Sequence, residues 1–498
     1  MKNQLLTFLA IYALGFTLTA QGQNLNQDQQ AQLRDSISGE SIPYATILIG
    51  QQQGIISNDQ GFFNFDRSTI RTPLDSIEIS SLGYQSVKIP YQSNLDTIIY
   101  LEPMTYDLNE VFISAEKLEV KDIIERMITK LDQNYPEDLF SNRFFYRKSE
   151  LSSVKKMELK LKESTLEGFD KAFLDSVVSL IPKNSAYYYE MVGNRQGNFK
   201  KGKIEILKGA ELYDKEKDLS FEGISEKMEQ IFTDNVKTDS YLKIKSGIFS
   251  TKVQLDSILD SSKDMEEAIE EVKEKEGEYQ YLYLYSSIEN LVESLFISED
   301  SKVDIIDKSS RYRWTLRGVD QIENESVYRI DFEPRGSKDF EGTVYVNMED
   351  FGIMRLDFTN VKPLSKFNLL GLSFSEFRYN GRVIFEKQGH YRPKYIELTH
   401  AESFGIKRPL KVIEKNKNVK GRRKQNEIHL KLDMKMLSQT KHELVFFNPE
   451  PVTKEAYKAW KIEKDFKPTY LERFDAEFWS DYLIIEPNAA IKSFDINN

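Results

Sequence analysis

Between Leu33 and Ser114 the chain is a succession of short strand phrases cut by turn clusters, and no other stretch restricts the fold as tightly. Tyr44-Ala45-Thr46-Ile47-Leu48-Ile49 is rich in β-branched residues, with Pro43 at its edge where a missing N–H breaks no ladder bond. Ser57-Asn58-Asp59-Gln60-Gly61 reads as a turn, because Asn and Asp bond their own backbone and Gly accepts positive φ. Phe63 and Phe65 then share one strand face, while Phe62 and Asn64 take the other. Asp75 to Ser80 alternates polar and apolar, Gly83 interrupts, Val87-Lys88-Ile89 resumes, and Asp96 to Glu102 supplies a further strand. Short strands at this spacing predict a β-sandwich.

Met1-Lys2-Asn3, the apolar run Leu5 to Leu18 and the small residues Ala20 and Gly22 predict a signal peptide over residues 1–22. The apolar run is short for a membrane span, and no later segment approaches one. The mature chain is therefore expected to be exported and soluble, in the periplasm or at the outer-membrane periphery. Cysteine is absent, so neither a lipid anchor on an N-terminal Cys nor a disulfide is available, and stability must come from cores. Hydrophobic residues at 40% of 498 supply them. A net charge of −11 opposes general nucleic-acid binding, which depends on neutralising phosphates.

Ile42–Ile49, Gly54–Phe65, Leu74–Val87 and Leu95–Pro103 together resemble the carboxypeptidase regulatory-like domain, a transthyretin-like, immunoglobulin-type sandwich, placed here over residues 31–115. The resemblance implies an envelope protein of Bacteroidetes-type bacteria. It does not imply peptidase activity, since the peptidase of such proteins is a separate domain. A zinc site of that type needs His and Glu on one helix or turn with a distant His. None of the four histidines, His390, His400, His429 and His442, stands in such a motif.

Residues 118–300 read as a linker helix followed by a mixed α/β region. Val120, Ile123, Ile124, Met127, Ile128 and Leu131 make one apolar helix face that ends at Pro136. Phe144 to Arg147, Lys203 to Leu207 and Tyr241 to Ile248 read as strands. Asp260 to Glu278 reads as a solvated, charged helix, and Ile288, Leu291, Val292, Leu295 and Phe296 form a second helical stripe.

Residues 305–498 read as an antiparallel β-rich domain, with alternation over 311–316, 327–332, 342–347, 353–358 and 395–398. Tyr328–Pro334 and Phe340–Phe358 resemble the strands of lipoprotein-carrier-type half-barrels, which implies a curved sheet with helices over its concave face. The order sandwich, helix, strand also resembles a group of uncharacterised Bacteroidetes envelope proteins. Members that continue into a membrane barrel need more strands than the residues after Tyr395 supply, so an integral membrane role is not expected. Thr453 to Ile462 predicts a capped helix carrying Trp460, and Phe478 to Pro487 an aromatic tail that docks on the domain.

Four groups invite a sharper reading. Tyr279, Tyr281, Tyr283 and Tyr285 would make an aromatic platform, but their spacing of two favours a strand face packed in a core. Lys407 to Lys424 holds nine basic residues and one acid, Glu414; it would suit anionic lipid, but an exposed hairpin loop is the simpler reading. Asn58, Asp59 and Asp66 have too few carboxylates for calcium and fit a turn. Asp331, Glu333 and Asp339 would be candidates for a glycosidase pair, though charges on strand edges are common. No nucleophile motif or Gly-rich phosphate loop occurs. No catalytic, cofactor-binding or metal-binding residue is assigned, and no cofactor is expected.

The expectation is a mainly β protein: an N-terminal immunoglobulin- or transthyretin-like sandwich, then an α+β region with a curved antiparallel sheet. Its expected role is non-catalytic, an envelope interaction or binding protein with a protein partner and an apolar or extended ligand such as a lipid. An envelope hydrolase acting on glycan or peptide through converging carboxylates, and a structural surface protein, are the rivals.

Overall fold

Period-two alternation carries most of the chain into strands, and the fold is mainly β. A computed structural model describes residues 29–49, 53–65, 76–90, 97–104, 118–215, 227–228, 230–237, 240–254, 275–298, 301–322, 325–416, 418–421, 423–479, 482 and 485–495. The expected signal peptide, Asp66 and most of the charge run after Asp260 lie outside these residues. The chain divides into two compact units, Met1–Ser81 with Gln85–Pro103, and Leu82–Tyr84 with Met104–Asn498.

The first unit holds β1 (Gln29–Asp35), β2 (Thr46–Ile49), β3 (Gln53–Ile56), β4 (Phe62–Phe65), β5 (Ser76–Ser80), β6 (Val87–Pro90) and β7 (Ile98–Leu101). They form two sheets, ordered β4-β1-β7 and β3-β2-β5-β6. All pairs are antiparallel except β1 with β7. Leu33, Ile47, Phe63, Ile79 and Leu101 are fully buried, so both sheets turn an apolar face inward. The turn before β4 is held by Ser57, Asn58 and Gly61. Asn58 Oδ1 accepts from the backbone of Gln60 and of Phe62, each at 2.9 Å. Ser57 Oγ accepts from Ala45 N at 2.9 Å. Gly61 has a φ of 77°, and a Cβ there would stand 2.7 Å from the Leu33 carbonyl.

The second unit begins with α1 (Val120–Thr129), α2 (Leu131–Asn134), β8 (Phe140–Ser164), α3 (Lys171–Leu180), β9 (Asn184–Gly197), β10 (Gly202–Leu212), β11 (Ser240–Ser246), β12 (Phe249–Gln254) and α4 (Glu276–Glu293). It continues with β13 (Tyr312–Ile322), β14 (Glu325–Pro334), β15 (Phe340–Asn347), β16 (Ile353–Asn360), β17 (Ser365–Leu369), β18 (Leu372–Gln388), β19 (His390–Asn416) and β20 (Lys424–Pro451). It closes with α5 (Lys454–Ala459), β21 (Thr469–Leu471) and α6 (Ala489–Lys492). Fourteen strands make one sheet, ordered β13-β14-β15-β16-β18-β19-β20-β8-β9-β10-β21, with β11 on β19, β12 on β11 and β17 on β18. Strand β8 pairs with β20 on one side and β9 on the other, so residues expected in separate regions on either side of 300 share this sheet.

Helix α1 buries Ile123, Ile124 and Met127, and α4 buries Leu284, Ile288, Leu291 and Val292, in one core with the sheet. Arg195 fixes α4 with a two-pronged ion pair to Glu289, at 2.7 and 3.1 Å, both side chains buried. The reverse face is covered by the chain's end: Trp479 is buried with its ring edge-on to Phe145, and Ile485 and Ile491 are buried beside it in sequence. Of the expected aromatic tail, Trp479 and Ile485 are buried in this way. Thr453 caps α5 by accepting from Ala456 N at 3.2 Å, and Trp460 terminates that helix.

Strands β8, β19 and β20 run for 25, 27 and 28 residues. At roughly 3.3 Å per residue such a strand spans on the order of 90 Å, well past what α1 and α4 cover. A second core forms at the far end, where α3 lays Phe173 and Leu174 with Ile231 and Val236 against Leu430 and Ile428 of β20. Register shifts between Lys435 and Met436, and between Glu376 and Arg378, mark bulges, which bend the strands that carry them.

Candidate functional site

Side chains alternate along a strand, so one parity of β19 and β20 and the matching residues of β8 share the face that carries the main core. Leu444 opposite Tyr146 belongs to that core, and His400 opposite Thr440, then Phe404 opposite Met436, continue the same face outward.

A polar band comes first. Tyr146 Oη lies 2.8 Å from His442 Nδ1, and the rings of His442 and His400 stack at 5.9 Å. Burial holds His442 far below the ordinary imidazole range, at about 3, with nearby His400 and Lys148 adding to the effect. Burial lowers His400 in the same direction. Both rings are thus neutral near pH 7. Lys148 donates to the Tyr283 hydroxyl, sits 4.5 Å over that ring and pairs with Glu150 at 2.5 Å. At Glu150 the band meets a cleft of about 840 Å³, lined also by Tyr187, Tyr213, Phe377, Gln439 and Phe494. Tyr187 stacks on Tyr213 at 4.6 Å and donates to Glu211 at 2.7 Å; burial raises the Glu211 carboxyl above its usual range.

An apolar band follows. It runs from Phe367 on β17 through Phe374 on β18, Phe404 and Ile406 on β19, and Met434 and Met436 on β20, to Val154 and Met157 on β8. Phe367 and Phe374 stack at 6.0 Å. Phe367 remains 48% exposed and Phe404 42%, while Ile406, Met434 and Met436 are half-buried. The reverse face at the same level is charged: Lys435 lies opposite Lys156, Asp433 opposite Glu158 and Lys431 opposite Lys160, with Lys156 bonded to Asp433 at 2.6 Å. Fully burying a large apolar side chain stabilises by about 1.5–3 kcal/mol, so each half-open member leaves roughly 1 kcal/mol for an apolar ligand to gain. The second core closes the band's far end.

The sequence candidates fall elsewhere or change character. The four tyrosines lie on helix α4, not on a strand. Tyr281 and Tyr285, one turn apart, face the sheet and donate to the carbonyls of Ile204 at 2.8 Å and Gly202 at 3.1 Å. Tyr279 is 45% exposed, and Tyr283, 42% exposed, lies at the helix edge where it meets Lys148 and the Tyr189 ring. Residues 407–416 continue β19 and Lys424 opens β20, so the basic segment is mostly strand. Its acid, Glu414, is buried and accepts from Ser240 at 2.6 Å and Asn426 at 2.8 Å. Asp331 bonds Arg317 and Thr343, Glu333 pairs with Arg313, and Asp339 pairs with Lys362, so each acid of the imagined pair has its own partner. Among the described residues no three of His, Cys, Asp or Glu are grouped to hold a metal ion.

The pairing of His400 with His442 and the apolar band escaped the sequence reading. Both depend on which residue of β19 faces which of β20, and Arg408 interrupts the apolar parity within β19 itself.

No protein-family model matches the chain, and no curated protein matches it. A LolA superfamily protein from Nitrosomonas europaea is similar at 9% identity and a TM-score of 0.17, over 68% of this chain and 97% of that one. A MucA/MucB complex from Pseudomonas aeruginosa is similar at 8% identity and a TM-score of 0.17, over 68% of this chain and 100% of that one. MucB in complex with MucA(peri) gives 8% and 0.14, over 67% and 100%. At such identities and TM-scores these likenesses establish neither a family nor an activity for the chain.

Proposed function

We propose that this is an exported, non-catalytic envelope binding protein whose apolar band holds an apolar or extended ligand, such as an acyl chain. The observation that carries the reading is the half-exposed run from Phe367 through Phe404 and Met436 to Met157, flanked by two filled cores. At its inner end His400 and His442 are neutral and Lys148 is paired with Glu150, which leaves no net charge there. The hydrolase reading is disfavoured, since Asp331, Glu333 and Asp339 are each engaged with separate partners.

Within this proposal residues 1–22 are a signal peptide, and the chain works in the periplasm or at the outer-membrane periphery. Residues 31–115 act as a carboxypeptidase regulatory-like sandwich that engages a protein partner. Seven short strands in two sheets, with a Ser-Asn-Asp-Gln-Gly turn before β4, support that assignment. Native mass spectrometry of the chain from envelope extract, beside a delipidated control, tests the binding role. An apolar adduct that delipidation removes is expected; a clean apo mass in both samples defeats the reading.

A further inference from the structure

We infer that the β17–β18 hairpin tip and the cationic face beside it dock on an anionic lipid bilayer. Leu369 is paired with Leu372 through a turn of only Leu370 and Gly371, both at positive φ, 51° and 79°. Turns of this kind favour Asn-Gly or Gly-Gly, because an L residue at positive φ crowds its own carbonyl. Gly371 is required there: a Cβ would stand 2.2 Å from the Lys407 carbonyl. Nothing in the turn requires Leu370. It places an apolar side chain, 48% exposed, next to Leu369 at 66%, at the outer end of the apolar band.

The charge beside the tip has one predominant sign. At its level on β19 and β20 stand Lys407, Arg408, Lys431 and Lys435 against Asp433, in a chain whose net charge is −11. That acid is already committed, since Asp433 accepts from Lys156 at 2.6 Å. The backbone ties the two features together, since Lys407 N donates to the Gly371 carbonyl at 2.7 Å. Lys407, Lys431, His429 and Lys162 then line a shallow depression of about 370 Å³. Leucines that enter the acyl region and cations that meet the phosphates call for a bilayer with anionic headgroups. A nucleic acid would match the cations but leave both leucines without a partner. The inference stands apart from what the apolar band holds.

Flotation of the full chain with vesicles of pure phosphatidylglycerol or pure phosphatidylcholine tests it. Variants are compared in the same chain, so any contribution of residues 5–18 is common to all. Wild type is expected to float with phosphatidylglycerol roughly tenfold better than with phosphatidylcholine, and less as salt rises. Leu369→Ser with Leu370→Asn should weaken that binding roughly tenfold while leaving thermal stability unchanged or higher, because Asn suits the turn. Lys407→Gln with Lys431→Gln should remove much of the salt dependence. Equal flotation with both lipids, or a leucine variant that floats like wild type, would overturn the inference.

Discussion

Arg147 on β8 and Glu190 on β9 form an ion pair closed to solvent, with Nε 2.7 Å from Oε1 and side chains 1% and 0% exposed. The same guanidinium donates to the carbonyls of Ile485 at 2.7 Å and Glu486 at 3.3 Å, so one side chain joins two strands to the C-terminal segment. Arg147→Ala would strand a buried carboxylate whose Oε2 already lacks a partner. Urea unfolding should show a loss of about 3–5 kcal/mol, and the double change Arg147→Met with Glu190→Leu should recover most of it. Protease cleavage within 485–495 should also come earlier in Arg147→Ala than in wild type.

The depressed imidazole of His442 makes stability depend on pH. Between its ordinary pKa of 6.5 and its folded value of about 3, the unfolded chain binds a proton that the folded chain does not. Stability should therefore fall as pH drops through that interval, by at most about 1.4 kcal/mol per pH unit from this group. His400 acts with the same sign. Denaturant midpoints across the interval should show a shallower slope in His442→Gln; an unchanged slope would assign the pH dependence to other groups.

Phe404→Ser combined with Met436→Ser separates binding from folding. Both side chains are partly open, so the pair should cost no more than about 2 kcal/mol of stability. The apolar adduct in native mass spectra should be largely lost. An adduct retained at wild-type occupancy would place the ligand away from this band.

In the first unit, Gly61→Ala should be costly. The backbone is in the left-handed region, and the new methyl would meet the Leu33 carbonyl at 2.7 Å. A loss of about 2–4 kcal/mol is expected, read as a lower midpoint for unfolding of that unit by circular dichroism.

Where one residue sufficed to set the local pattern, the chain was legible. The alternation through Tyr328–Phe358 gave β14 to β16, and the stripe from Ile123 to Met127 gave α1. Tyr279 to Tyr285 misled because tyrosines two apart imitate a strand, while in α4 Tyr281 and Tyr285 bond the β10 backbone and Tyr283 meets Lys148 from the helix edge. The basic segment misled because Lys and Arg suggested a loop, although Ile406, Leu410 and Val412 keep one parity through it. The candidate site was illegible for a different reason. Met157 and Met434 become neighbours through pairing across the chain, which no local periodicity encodes.

That pairing also sets the order in which the protein can be completed. Thr165, just past the end of β8, bonds to Asn426, 261 residues further on. During synthesis β8 must therefore wait, with one edge unpaired, until β20 has been made. Such long-range closure is slow and leaves a sticky strand edge exposed to other chains. A chain truncated before β20 would keep β8 and β9 but leave that edge permanently open, making it a substrate for quality-control proteases in whichever compartment it reaches.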